Sequence, residues 1–180
     1  MNHIGTIDIV TNRLLLRQFK ESDYKNMYKN WASDDEVSKF LSWNAHESED
    51  ASKEIIANWI SKYDNLNVYN WAIELKEINE VIGGISVVRM YDNTLSCEIG
   101  YCIGRKYWNK GITTEALTAV IDFLFKEVGV HRVYAQHDLE NKASGEVMKK
   151  SNMKYEGTLR DAGFRNNSFY SLAVYAIINE

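Results

Sequence analysis

The sequence predicts a single α+β domain over residues 1–180, with a mixed central sheet of about seven strands and about four flanking helices. Three observations carry that expectation. The chain has 180 residues without a repeat, linker or low-complexity segment, long enough to bury one core without covalent staples. Apolar residues recur at helical steps through residues 21–63 and then switch to strand-like alternation over residues 69–103. A long amphipathic run at 112–128 separates two strand-like segments, so those strands are joined by a helical crossover and should lie parallel.

Each element follows from its local pattern. Residues 8–19 read as a first strand, with Leu14 and Leu16 alternating against Arg13 and Arg17. Residues 21–31 read as a helix, because Tyr24, Met27, Tyr28 and Trp31 fall on one stripe. A short helix at 34–40 takes Ser33 as its N-cap, and a longer one at 48–63 carries Ile55, Ile56, Trp59 and Ile60 inward. Strands at 69–75, 81–91 and 95–103 should form an antiparallel meander, with Asp92-Asn93 as one hairpin turn. The helix at 112–128 turns Ile112, Ala116, Val120, Phe123 and Leu124 inward and closes at Gly129. A fifth strand spans 132–138 and a short helix spans 141–151. Two final strands, 153–164 and 168–178, meet at Asn166-Asn167, a good type I′ pair. The chain contains no Pro, so these boundaries rest on Gly, Asn and periodicity.

Composition narrows the function classes. Hydrophobic residues make up 45% and charged residues 26%, an ordinary globular balance. No stretch reaches the ~18 apolar residues that a membrane helix needs, and Met1 to Thr6 do not start a secretion signal. The expected location is the cytoplasm, with no membrane partner. A net charge of −4 and the lack of a basic run argue against nucleic acid. Cys97 and Cys102 occupy odd and even positions of one strand, so they should face opposite ways and not pair. His3, His46, His131 and His137 are scattered without ligand spacing, so no metal is expected.

The most informative stretch runs from Glu98 to Ala116. There an apolar strand leads through Trp108-Asn109-Lys110-Gly111 into the helix that starts at Ile112. Unpartnered N–H groups and the helix dipole make such a junction a site for an anion, most often a phosphate. A P-loop would need Lys and Ser/Thr directly after the last Gly of a longer loop, and the three-glycine dinucleotide fingerprint is missing. Neither a nucleotide triphosphate nor NAD is therefore indicated.

With its neighbours, the loop resembles the GNAT N-acetyltransferases, especially the subgroup that includes the ribosomal-protein-alanine acetyltransferases. The resemblance rests on Glu98-Ile99-Gly100-Tyr101, Trp108-Asn109-Lys110-Gly111-Ile112-Thr113 with Thr114-Glu115-Ala116, and Asn141-Lys142-Ala143-Ser144, in that order. It covers almost the whole chain. Asn109 stands where the subgroup usually has Gly, Thr113 where it has Gly or Ala, and Asn152 where it has Gly.

The resemblance implies a GNAT fold whose fourth and fifth strands, Leu95–Ile103 and Arg132–Asp138, splay apart to admit acetyl-CoA as cosubstrate, with no metal. Tyr101 and Ile103 would then pair with the pantetheine arm, and Trp108, Asn109, Lys110, Gly111, Ile112 and Thr113 would cradle the pyrophosphate. Asn141 would orient the arm. The implied reaction is direct acetyl transfer to a primary amine of a small molecule, a polyamine or a peptide N-terminus, without a covalent enzyme intermediate. The backbone N–H of Tyr101 would polarise the carbonyl. The position that often carries a Tyr acid is Met148 here, so Ser144 is the subgroup's substitute, and it is equally readable as a polar surface residue. Glu98 is the candidate base, with His137 as a rival. For the acceptor, Trp31, Phe40, Trp43, Phe164, Phe169 and Tyr170 lie near Asp34, Asp35, Glu36 and Asp161, a set suited to a cation, with Trp31 and Phe40 read as core. Ser171 stands where related sequences often have Asp. The alternative reading is a non-catalytic CoA-binding or sensing domain. The chain could be a monomer or a homodimer.

Overall fold

The computed structural model describes residues 1–180. Its sheet has eight strands, one more than the pattern predicts. The extra strand comes from the first segment, which folds back at Thr11-Asn12-Arg13 into β1 (Ile9–Val10) and β2 (Leu14–Arg17). Thr11 closes that turn, its backbone N–H bonding the Leu14 carbonyl at 3.0 Å. Polar residues that favour turns outweigh the short apolar alternation there.

The remaining strands are β3 (Asn70–Leu75), β4 (Glu80–Tyr91), β5 (Ser96–Ile103), β6 (Arg132–Asp138), β7 (Lys154–Arg165) and β8 (Ser168–Ile178). They lie in the order β1-β2-β3-β4-β5-β6-β8-β7, antiparallel everywhere except between β5 and β6. Leu95 does not start β5 as expected; it ends a tight turn at Asp92–Thr94 with φ +48. Asn166 and Asn167 both have positive φ, as a type I′ hairpin turn requires.

On one face of the sheet pack α4 (Ile112–Phe123) and α5 (Lys142–Lys150). Leu14, Trp71, Ile73, Ile99 and Val133 meet Ala116, Leu117, Val120 and Met148 there in the larger core. The other face takes α1 (Asp23–Met27), α2 (Asp35–Ser38) and α3 (Glu49–Ile60), where Phe19, Met27, Trp31 and Ile56 pack on Ala72 and Val81. Period-two alternation along β3 divides Trp71 and Ile73 from Ala72 in this way. Two predicted helices change pitch: α1 continues into a π turn at Tyr28–Ala32, and α4 into another at Leu124–Val128 before Gly129 closes it at φ +78. The cap of α2 is Asp34 rather than Ser33, because the Asp34 side chain accepts from the Glu36 N–H. No helix is long and apolar enough to cross a membrane.

Under the second layer, Arg17 is held by two carboxylates. Its Nη1 and Nη2 donate to Asp23 at 2.7 and 3.0 Å, and its Nε donates to Glu74 at 2.7 Å. All three side chains are largely buried, and the guanidinium fork is filled on both sides.

Candidate active site

The site forms where the sheet parts. β5 and β6 pair only at Ser96–Arg132, Cys97–Val133 and Glu98–Tyr134. Beyond Glu98, β5 keeps its partner β4 but has none on the β6 side, although Ile99 to Ile103 continue as strand. An edge of unpaired backbone inside a domain needs another partner. A cleft of about 590 Å³ opens there, within the usual size of small-molecule sites. Tyr101, Cys102 and Ile103 line it from β5, Trp108 to Thr114 from the loop and α4, and Asn141 to Ser144 with Val147 from the start of α5. Glu36, Val37, Phe40 and Leu41 line it from the α2 segment.

The loop before α4 has the geometry of an anion cradle. Asn109 has φ +58 and Gly111 has φ +70, two left-handed residues on either side of Lys110. Alternating backbone of this kind forms a concave nest of N–H groups, and here it abuts the N-terminus of a helix. Asn tolerates the left-handed region, so Asn109 in place of Gly leaves that shape intact. The Trp108 indole N–H donates to the Ile103 carbonyl at 2.9 Å and ties the loop to the end of β5.

Arg13 and Glu115 brace the loop from behind, in a pairing that neither the strand pattern nor the motif predicts. Arg13 donates through Nη1 to the Lys110 carbonyl at 2.8 Å and through Nε to Glu115 at 2.6 Å. Glu115 also accepts from the Thr11 hydroxyl at 2.6 Å and from the Arg13 backbone N–H at 2.9 Å. Burial pushes the Glu115 carboxyl up, but these donors outweigh it and hold the group below the usual glutamate range. A depressed carboxylate stabilises the fold above its unfolded pKa, and that contribution is lost as pH falls through the folded value. Glu115→Gln is expected to cost about 1–2 kcal/mol at neutral pH. In denaturant titrations, the gap between the two proteins should close as the pH drops below the ordinary 4.5.

Opposite the loop, the Tyr101 hydroxyl lies 3.0 Å from Ser144 Oγ and 3.1 Å from the Ser144 carbonyl oxygen. Burial pushes the phenol well above its usual range, so it stays protonated. Its single proton has two uses. Donated to the Ser144 carbonyl, it leaves the phenol oxygen to accept the Ser144 O–H. Donated to Ser144 Oγ, it frees the serine proton to point elsewhere. Asn141 caps α5, its side-chain oxygen accepting from the Ser144 N–H at 3.3 Å. Met148 is in the core at 1% exposure, so its position offers the cleft nothing.

The structure does not bring every candidate together. Glu98 sits at the last position of β5 that pairs with β6, where its Oε2 accepts from Arg89 at 2.6 Å and from the Tyr134 hydroxyl at 3.4 Å. It is not among the residues lining the cleft. Three positions separate it from Tyr101 on one strand, so the two side chains emerge on opposite faces. His137 lines a different cavity, of about 270 Å³, beside Gly145 and Tyr175. Its Nδ1 donates to the Asp138 carbonyl at 2.7 Å. The carboxylates that do line the cleft, Glu36, Glu140 and Glu146, are all exposed.

Cys97 and Cys102 belong to opposite cores, and burial pushes both thiols up to about 12, so neither is a thiolate at neutral pH. No group of three or more His, Cys, Asp or Glu side chains could hold a metal. Trp31 is core, as expected, but Phe40 is not: it is half-buried and forms a wall of the cleft. Asp34 is engaged, capping α2 and pairing with Arg105 at 3.0 Å. Phe164 and Phe169 pack against each other at a tilt, with ring centroids 5.0 Å apart, on the exposed β7–β8 hairpin.

A family model described as an acetyltransferase (GNAT) domain matches residues 13–154. Bacillus subtilis YnaD, described as an uncharacterized N-acetyltransferase, is 32% identical over 96% of this chain and 97% of its own. The Escherichia coli [ribosomal protein uS5]-alanine N-acetyltransferase is 36% identical, over 48% of this chain and 43% of its own. Among solved structures, a GNAT-family acetyltransferase from Bacillus anthracis superposes with a TM-score of 0.84 at 28% identity, covering 96% of this chain and 98% of its own. The microcin C7 self-immunity acetyltransferase MccE, solved with acetyl-CoA and AMP, shares the fold with a TM-score of 0.85 at 20% identity, covering 94% of each chain.

Proposed function

Because the chain belongs to the GNAT acetyltransferase family and is an acyltransferase, we propose that it moves the acetyl group of acetyl-CoA directly onto a primary amine bound in the cleft between β5 and β6. The observation that carries this reading is the opening of the sheet after Glu98, floored by the left-handed Asn109 and Gly111 and facing the Tyr101–Ser144 pair.

Backbone N–H groups from Asn109 to Thr113 would hold the pyrophosphate, and the free edge of β5 at Tyr101 and Ile103 would pair with the pantetheine arm as an added strand does. Acetyl-CoA supplies a thioester, and the amine takes its acyl group as the thiolate leaves. The Tyr101 N–H would polarise the thioester carbonyl. Ser144 would donate its proton toward the departing sulfur and take up the proton that the attacking amine loses. Meanwhile the Tyr101 hydroxyl would turn its hydrogen bond from the Ser144 carbonyl to Ser144 Oγ and stay protonated. The cleft has no buried carboxylate or imidazole to act as a base. The amine therefore enters as its neutral fraction, and kcat/KM should rise about tenfold per pH unit up to the pKa of the amine.

No observation favours the CoA-sensing alternative. Acetyl-CoA supplied with amines, polyamines and short peptides should release CoA thiol with at least one acceptor. Tight CoA binding without thiol release on any of them would contradict the proposed transfer.

A further inference from the structure

The loop before α4 is held from a position outside the cleft. Arg13 Nη1 donates to the Lys110 carbonyl at 2.8 Å. Lys110 and Gly111 line the cleft, and Arg13 does not. The Lys110 carbonyl and the Gly111 N–H belong to one peptide unit. No peptide bond in the chain is cis, and in a trans unit the C=O and N–H point in opposite directions. A carbonyl held toward Arg13, behind the loop, therefore aims the Gly111 N–H forward into the cradle.

Gly111 does not set that orientation by itself. Glycine takes negative φ about as readily as the +70 found here, so the peptide between Lys110 and Gly111 can turn over with little strain. Turned over, it would present a carbonyl oxygen to an anion in place of a donor. Arg13 removes that freedom, and it is itself held in place. Its Nε donates to Glu115 Oε2 at 2.6 Å and its backbone N–H to Oε1 of the same carboxylate at 2.9 Å. Glu115 lies in the first turn of α4, so the clamp hangs on the helix that completes the cradle. The turn that carries Arg13 is pinned as well. Thr11 Oγ donates to Glu115 at 2.6 Å, and the Thr11 carbonyl accepts from Lys76 Nζ at 2.6 Å. The break between β1 and β2 thus delivers a guanidinium to the back of the loop.

We propose that Arg13 is a positioning residue for the pyrophosphate of acetyl-CoA: by holding the Lys110 carbonyl, it keeps the Gly111 N–H turned toward the phosphates. The inference rests on the CoA site of the proposed function and not on the transfer step. Its effect is confined to ligands that carry the pyrophosphate. Pantetheine, the thiol arm alone, gains nothing from it.

Affinities for CoA, by calorimetric titration, and for pantetheine, by chemical-shift titration, separate this role from a general structural one. Arg13→Gln should weaken CoA binding about tenfold or more, the value of one charge-assisted hydrogen bond, and leave pantetheine within about threefold. Arg13→Lys keeps the charge but cannot hold the carbonyl and Glu115 together, and should lose about as much. The paired Arg13→Gln/Glu115→Gln variant removes the carboxylate left bare by the first change, and should not regain the parent's affinity. The Gly111 amide proton should move downfield when CoA binds the parent, as an N–H donating to a phosphate does, and show little of that shift in the variants. CoA affinity within about threefold of the parent in Arg13→Lys, its recovery in the paired variant, or an equal loss for pantetheine would each overturn the assignment. Unchanged CoA affinity in every variant with thiol release intact would refute this role and leave the transfer reading standing. The expected affinities without thiol release from any acceptor would do the reverse.

Discussion

Replacing Gly111 with Val is expected to weaken CoA binding by about 10- to 100-fold, because a β-branched residue held at φ +70 costs on the order of 1–3 kcal/mol. Space is not the reason, since the nearest atom to an added Cβ is Arg13 Nη2 at 3.6 Å. The cost is conformational: Val would pull residue 111 out of the left-handed region and turn the N–H groups of the nest away from the pyrophosphate. Gly111→Asn provides the contrast, since Asn accepts that region as Asn109 already does. Calorimetric titration with CoA should find Gly111→Asn within about threefold of the parent. Equal losses in the two variants would show that the left-handed turn is not what matters.

The second large effect is expected at Ser144. Ser144→Ala should lower kcat about 100-fold with the CoA dissociation constant nearly unchanged, the usual share of a positioned proton donor. Tyr101→Phe removes the group that orients the serine proton and should lower kcat by about tenfold, again with little change in KM for acetyl-CoA. Acting as one unit, the two should not add: the double variant falls no lower than Ser144→Ala, within about threefold. Multiplicative losses would mean that the 3.0 Å contact carries no catalytic coupling.

Much of the fold was legible because each of its parts is local. Alternation in β3 to β5, the helical stripe of α4 with its closing Gly129, and the Asn166-Asn167 turn each lie within a few residues of sequence. Departures occurred where a local pattern met a competing one, as at Thr11-Asn12-Arg13, where turn chemistry splits a strand. The pyrophosphate loop was readable for the same reason: a strand end, a Gly and a helix start are contiguous.

The rest of the site is built across the chain. Arg13 and Glu115 are 102 residues apart, and Tyr101 and Ser144 are 43 apart, so no spacing rule announces either pairing. Phe40 reads as core because its pattern is apolar, yet what it faces depends on a gap that only the assembled sheet creates. Glu98 shows the converse: its position on the motif strand was clear, but its partners Arg89 and Tyr134 come from two neighbouring strands.

The central claim is that CoA lies along the free edge of β5 with its pyrophosphate on the loop before α4. Amide hydrogen exchange with and without CoA tests it residue by residue. The account predicts slowed exchange at Tyr101, Ile103 and the amides from Asn109 to Thr113, with little change around the cavity of His137 and Tyr175. Binding of CoA that protects the His137 cavity and leaves residues 109–113 exchanging as before would contradict it.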